Sequence, residues 1–247
     1  MDIRQYLDST YLKTAIQAGV SEEENKEIVK SFIQEAIEEN FKLIMIRPEY
    51  VALAKEMIKT SNSNVTIGTV IDFPEGKSSV EEKLEMARKA ILDGADDLDF
   101  VCNYEAFKKG EAALLKNEIL QCTKLGLDSG KIVKWIIEVA ALSDQQIIKL
   151  SVLIKNTVID NFREDNYASV FVKSSTGFYK TENNLPNGAT LPTIVLMLEN
   201  ASPLPIKAAG GVRTYDDVLN FVRLGVKRVG TSAAKTIADG QVSNNDY

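Results

Sequence analysis

The chain has 247 residues, 45% of them hydrophobic and 26% charged, enough for one sizeable core and too polar for a membrane-embedded protein. Its formal charge is −6, with 29 basic and 35 acidic side chains and no basic stripe, so no nucleic-acid partner is expected. Histidine is absent and cysteine occurs only twice, which removes Ser-His-Asp and Cys-His catalysis and most zinc sites, and fits a reducing, cytoplasmic compartment.

The opening, "MDIRQYLDST", carries acidic and polar residues where a signal peptide needs an apolar run, and no later stretch approaches membrane-spanning length. Within it, residues 6–12 read as a short first strand. The helix-like "EEENKEIVKSFIQEAIEEN" then precedes the apolar run 42–46. Its apolar residues Val29, Phe32, Ile33 and Ala36 recur at spacings of three and four. The same unit repeats along the chain, with strands predicted at 64–73, 96–104, 131–139, 168–175, 204–211 and 227–232, each behind a helix. Gly94, Gly126 and Gly225 sit where helix C-caps are expected. The strands are short, rich in β-branched residues and nearly continuous in apolar character, as in a parallel sheet. Eight strand–helix units at this length predict a single-domain (β/α)8 TIM barrel over 1–247, with a short polar tail at about 239–247. A doubly wound sheet is the alternative.

In such a barrel, polar residues at strand C-terminal ends mark the active site. Those positions hold Asp8, Thr10, Arg47, Asp72, Asp99, Glu138, Lys173, Lys207, Thr231 and Ser232. Lys173 and Lys207 end neighbouring strands. Like-charge repulsion and desolvation both disfavour an ammonium, and a neutral amine can attack a carbonyl to form a Schiff base. The plainer alternative is that both lysines reach solvent or pair with Asp99 and Glu138. Asp99, inside an apolar strand, needs a partner, and Lys207 is the one expected. Asp96 and Asp97 read as surface residues at the strand start. The turns "AAGGVRT" and "GTSAAK" follow consecutive strands where barrels of this class hold phosphate, with glycine letting backbone N–H groups approach an anion. Plain turn chemistry is the competing account.

The stretches "VKSSTGF", "IKAAGGVRT", "DDLDFVCNY", "YLDSTYLK" and "VIDFPEG" together resemble the motif set of deoxyribose-phosphate aldolase, a class I aldolase family with a (β/α)8 fold, over about residues 5–238. The resemblance implies that Lys173 forms the imine, that Lys207 holds its pKa down, and that Asp99 moves protons with Lys207 and a water. It implies a sugar-phosphate substrate, no metal and no cofactor. It places the 5-phosphate near Gly210, Gly211, Gly230 and Ser232, with Thr176 and Gly177 in the lysine motif, and puts Asp8 and Thr10 close to substrate. Some members end in a tyrosine that assists proton transfer, and this chain ends in Tyr247.

The chain departs from the family pattern at several places. Met45 stands where a cysteine is frequent near the site, and Arg47 where a neutral residue is common. Ser174 replaces a threonine, Ala208 a proline, and Ala233 the second of a pair of serines. The last change leaves room for a related Schiff-base aldolase acting on another sugar phosphate. A non-catalytic sugar-phosphate binder is the alternative from a different class. The sequence leaves the oligomeric state open, a homodimer included.

Overall fold

A computed structural model describes residues 1–183 and 185–242. Its eight strands are β1 (Leu7–Tyr11), β2 (Leu43–Ile46), β3 (Thr66–Ile71), β4 (Asp97–Val101), β5 (Ile132–Ile136), β6 (Val170–Lys173), β7 (Ile206–Ala209) and β8 (Arg228–Thr231). They pair in parallel, each with its neighbour in sequence, and β8 closes onto β1 through Asp8 opposite Gly230. The expected barrel is therefore present, and the doubly wound alternative is excluded.

The helices are α1 (Ala15–Ala18), α2 (Glu22–Glu38), α3 (Val51–Thr60), α4 (Val80–Asp93), α5 (Tyr104–Lys108), α6 (Ala112–Asp128), α7 (Asp144–Asn161), α8 (Leu191–Ala201), α9 (Tyr215–Leu224) and α10 (Ala234–Ala238). Their starts are written in local chemistry. Ser21 with Glu24, Ser79 with Glu82, Ser143 with Gln146 and Thr214 with Asp217 form reciprocal capping boxes, which satisfy N–H groups left without a helical partner. Gly94 and Gly225 end α4 and α9 with φ of 108° and 111°, a conformation that a side chain disfavours. Gly126 behaves differently. It lies inside α6, where a Cβ would collide with Val133 of β5, so this glycine serves close helix–strand packing and not termination.

Among the described residues the core has a large compartment and two small ones, one of which gathers Val101, Tyr104 and Ile136. The large one lies between strands and helices, where Val29, Ile33 and Ala36 of α2 meet outward residues such as Ile44 and Ile46 of β2. Full burial of such a side chain contributes about 1.5–3 kcal/mol. Trp135 and Phe100 stack there at 5.1 Å, with the indole N–H donating to Thr123. The other small compartment fills one side of the barrel lumen with Leu43, Met45 and Val70, roofed by Leu12, Phe73 and Phe178. Gly68 makes it possible, because a Cβ there would stand 2.5 Å from Met45 Cε and 2.9 Å from Leu43 Cδ2.

Candidate active site

Strand alternation sends Leu98 and Phe100 of β4 to the helices and leaves Asp97 and Asp99 facing the lumen. Around Asp99 the strands β5, β6 and β7 deliver three ammonium groups. Oδ2 accepts from Lys173 Nζ at 2.9 Å and from Lys207 Nζ at 3.0 Å, while Oδ1 accepts from Lys134 Nζ at 2.8 Å. Lys173 and Lys207 are direct cross-strand partners between β6 and β7. Lys207 also pairs with Asp8 at 2.6 Å, and Lys134 with Asp97 at 2.6 Å. Arg228 of β8 completes the cluster through Asp8 at 2.6 Å and Asp97 at 3.6 Å. Neither Lys173 nor Lys207 points to solvent: they are 3% and 0% exposed.

Four formal cations thus surround three carboxylates in a nearly dry space. One positive charge lacks a partner, and a buried uncompensated charge is costly. The group that yields is Lys173. Burial lowers its pKa, the Asp99 carboxylate opposes this, and Lys207 and Lys134 push it down again, to about 8. For Asp99, burial alone would raise the carboxyl, but the ammonium groups of Lys134, Lys173 and Lys207 outweigh it and hold it well below the usual range. Lys134 is held above its ordinary value: burial works against its charge, and Asp97, Asp99 and Asp8 prevail. The arrangement can therefore present a neutral amine beside a permanent carboxylate and a second lysine.

Among the other sequence-predicted residues, Asp8 is fully buried against Lys207 and Arg228. Thr10 is buried on the same strand and donates to the Asp8 carbonyl at 2.8 Å. Gly230 faces Lys207, where a Cβ would stand 3.2 Å from its Cε. Gly210 and Gly211 follow β7 with φ of 87° and 73°, a conformation that a side chain disfavours. Ser232 occupies the turn between β8 and α10. Thr176 and Gly177 follow Lys173 in the β6–α8 loop. Tyr247 lies outside the described residues. Glu138 does not pair with either lysine. It accepts from the Thr176 N–H and lies 2.6 Å from the Ser175 hydroxyl oxygen instead.

At the site, the expectation for Asp97 is corrected. Asp97 is not a surface residue: it is 2% exposed and paired with Lys134. The sequence reading also passed over Lys134 and Arg228. The signal was present in "DDLDF" and "KIVKWI", where charges two residues apart or alone on one strand face point into the same lumen. Among the described residues, no three His, Cys, Asp or Glu side chains gather in a way that could hold a metal ion, and no helix is long and apolar enough to cross a membrane.

Comparison with known proteins agrees with this geometry. The DeoC/LacD family aldolase model matches residues 6–240. A deoxyribose-phosphate aldolase of Thermococcus gammatolerans is 36% identical over 241 residues, covering 97% of this chain and 96% of that one. Its counterpart in Streptococcus pneumoniae is 34% identical over 248 residues and covers both chains completely. The crystal structure of a Coccidioides immitis protein assigned as a deoxyribose-phosphate aldolase superposes with a TM-score of 0.80 at 29% identity, covering 96% of this chain and 85% of that one. With the barrel closed and the lysine pair buried on a shared aspartate, these matches identify the chain as a member of the DeoC/LacD aldolases, carbon–carbon lyases.

Proposed function

We propose that the protein is a cofactor-free class I aldolase that reversibly cleaves 2-deoxy-D-ribose 5-phosphate to D-glyceraldehyde 3-phosphate and acetaldehyde through a Schiff base on Lys173. The observation that carries this reading is the burial of Lys173 beside the Lys207 and Lys134 ammonium groups, which against the pull of Asp99 brings its pKa to about 8. A fraction of the amine is then neutral near pH 7 and able to attack. The relatives named deoxyribose-phosphate aldolase support the choice of substrate.

In this reading Lys173 Nζ adds to C1 of the open-chain aldehyde. Asp99, 2.9 Å from Lys173 Nζ, and Lys207, 3.0 Å from Asp99, move the protons as the carbinolamine loses water to give the iminium. The iminium draws in the electron pair of the C2–C3 bond as the C3 hydroxyl gives up its proton. Carbons 3 to 5 leave as glyceraldehyde 3-phosphate, and carbons 1 and 2 stay on Lys173 as an enamine. Protonation at C2 and addition of one water release acetaldehyde and restore the amine. Backbone groups of Gly210, Gly211 and Gly230, with Thr176, Gly177 and the Ser232 hydroxyl, are assigned to the phosphate side. Asp8 and Thr10 are assigned to the substrate-facing wall, and Tyr247 to proton transfer at C2. The cytoplasm is part of the same reading, in keeping with two free, buried cysteines.

The test is intact-protein mass spectrometry after acetaldehyde and borohydride, followed by peptide mapping. A two-carbon adduct on Lys173 is expected, and a folded protein without one would overturn the reading. Ala233 favours one second reading, a related Schiff-base aldolase on another sugar phosphate. A substrate panel separates the two.

A further inference from the structure

Glu138 lies two residues beyond β5 in the left-handed region, with φ of 56°, and is 1% exposed. Both oxygens of its carboxyl face the β6–α8 loop. Oε2 accepts from the Thr176 N–H at 3.2 Å and from the Thr176 hydroxyl, and Oε1 lies 2.6 Å from Ser175 Oγ. Ser175 Oγ also stands 2.7 Å from the Asn187 carbonyl oxygen and accepts from the Gly177 N–H at 3.0 Å.

A hydroxyl has one proton to donate and two lone pairs to offer. The Asn187 carbonyl can only accept. Were Glu138 a carboxylate, two acceptors would compete for the single Ser175 proton, and one oxygen pair would meet lone pair to lone pair within hydrogen-bond distance. A proton on Oε1 removes the conflict. The Glu138 O–H then donates to Ser175, the Ser175 O–H donates to the Asn187 carbonyl, and the Gly177 N–H takes the remaining lone pair.

The surroundings agree. Burial raises the Glu138 pKa against the Ser175 and Thr176 hydrogen bonds and against the Lys173 charge on β6. From α5, Tyr104 faces it as a neutral phenol, pushed up to about 12 first of all by burial.

The chain of hydrogen bonds ends on the glycine turn after β7. Asn187 Nδ2 donates to the Gly177 carbonyl at 3.0 Å. A Cβ on Gly188 would stand 2.5 Å from Gly210 Cα, so the two backbones lie in direct contact. The Ala189 N–H donates to the Ala209 and Gly210 carbonyls at 3.1 and 3.0 Å. We propose that Glu138 is a positioning residue, held as a neutral carboxylic acid, that ties the end of the Lys173 strand to the Gly210–Gly211 turn and so sets the phosphate subsite. This deepens the aldolase reading and rests on it.

Two measurements test it. Carbon-13 NMR of Glu-labelled protein, with the Glu138 signal assigned by difference against Glu138→Gln, is expected to report a neutral acid at pH 7. Kinetics then compare Glu138→Gln, which keeps one donor and one acceptor in place, with the shorter Glu138→Asp. Glu138→Gln is expected to hold KM for 2-deoxyribose 5-phosphate within about threefold, and Glu138→Asp to raise it about tenfold or more with kcat changed less than threefold. With unphosphorylated 2-deoxyribose the two variants should match in KM. A carboxylate signal at pH 7, or a Glu138→Gln variant as impaired in KM as Glu138→Asp, overturns the proposal. A neutral Glu138 in a protein that gives no Lys173 adduct overturns the aldolase reading and leaves the protonation state standing.

Discussion

Two of the buried lysines of this barrel, Lys83 and Lys173, meet different surroundings. Lys83 of α4, fully buried, donates to the Gly76 carbonyl at 3.0 Å, the Val101 carbonyl at 2.8 Å and Glu118 at 2.9 Å, with Asp72 a further 3.4 Å away. Each of its three protons has its own acceptor. Lys173 has one carboxylate oxygen, and shares it with Lys207. Depth is the same, so depth does not make a lysine reactive. What differs is whether the surroundings contain enough negative charge and enough acceptors to keep the ammonium. Lys83 staples the β3–α4 loop to β4 and α6, whereas Lys173 is left in surplus.

Replacing each lysine by methionine sharpens the contrast. Lys173→Met should lose about 10⁴-fold or more in kcat/KM and all borohydride adduct, since no other group can form the imine. Lys83→Met should keep the adduct but lose about 3–5 kcal/mol of stability, read by urea unfolding, because Glu118 would be left buried and unpaired. If Lys83→Met unfolds no more readily than the native chain, the staple is dispensable and the contrast fails.

A subtler break is Lys207→Met. The amine must be neutral to attack, so activity climbs with pH through the Lys173 pKa of about 8. Removing the Lys207 charge relieves repulsion and raises that pKa, and the limb of the kcat/KM profile should move to higher pH by about one unit. A limb that stays put would mean that Lys207 does not set the amine.

Stability should carry the same signature. Below pH 8 the Lys173 amine is charged in both the folded and the unfolded chain, and the folded state bears the penalty. Between about 8 and 10.5 the unfolded chain alone holds the proton, so this group makes stability rise with pH. Lys173→Met should therefore melt above the native protein at pH 7, with the gap narrowing as pH rises through that window. The smallest expected effect is far from the site: Ser79→Ala, which opens one capping box, should cost about 1 kcal/mol with kcat unchanged.

Much of this molecule is legible in its sequence because the determinants are local. Strand–helix alternation, serine-initiated helices and the glycines after α4 and α9 each act within a few residues, and they give the barrel. Lys173, Lys207 and Asp99 are legible because each interrupts an apolar strand near its C-terminal end. Lys134, Asp97 and Arg228 are harder, since they sit deeper in the lumen and owe their meaning to partners on other strands. Gly126 is misread for a related reason: a glycine near a helix end serves either termination or contact, and only the packing of Val133 decides. Residue 47 shows the same limit. Arg47 spans from the Leu12 carbonyl, at 2.7 Å, to the face of Phe73, at 5.2 Å, so it ties down the roof of the lumen's apolar side.

The surplus charge around Lys173 has a consequence beyond the first attack. Along the proposed reaction the nitrogen alternates between charged forms, the ammonium and the iminium, and neutral ones, the free amine and the enamine. The cluster is balanced only when that nitrogen is neutral, with Asp8, Asp97 and Asp99 against Lys134, Lys207 and Arg228, so burial there disfavours every charged form alike. The electrostatic imbalance that releases the proton from the resting lysine therefore also drives the iminium toward the enamine, which is the direction in which the carbon–carbon bond opens. The same three aspartates and three other cations that prepare the nucleophile also prepare the electron sink, and neither role could be tuned without retuning the other.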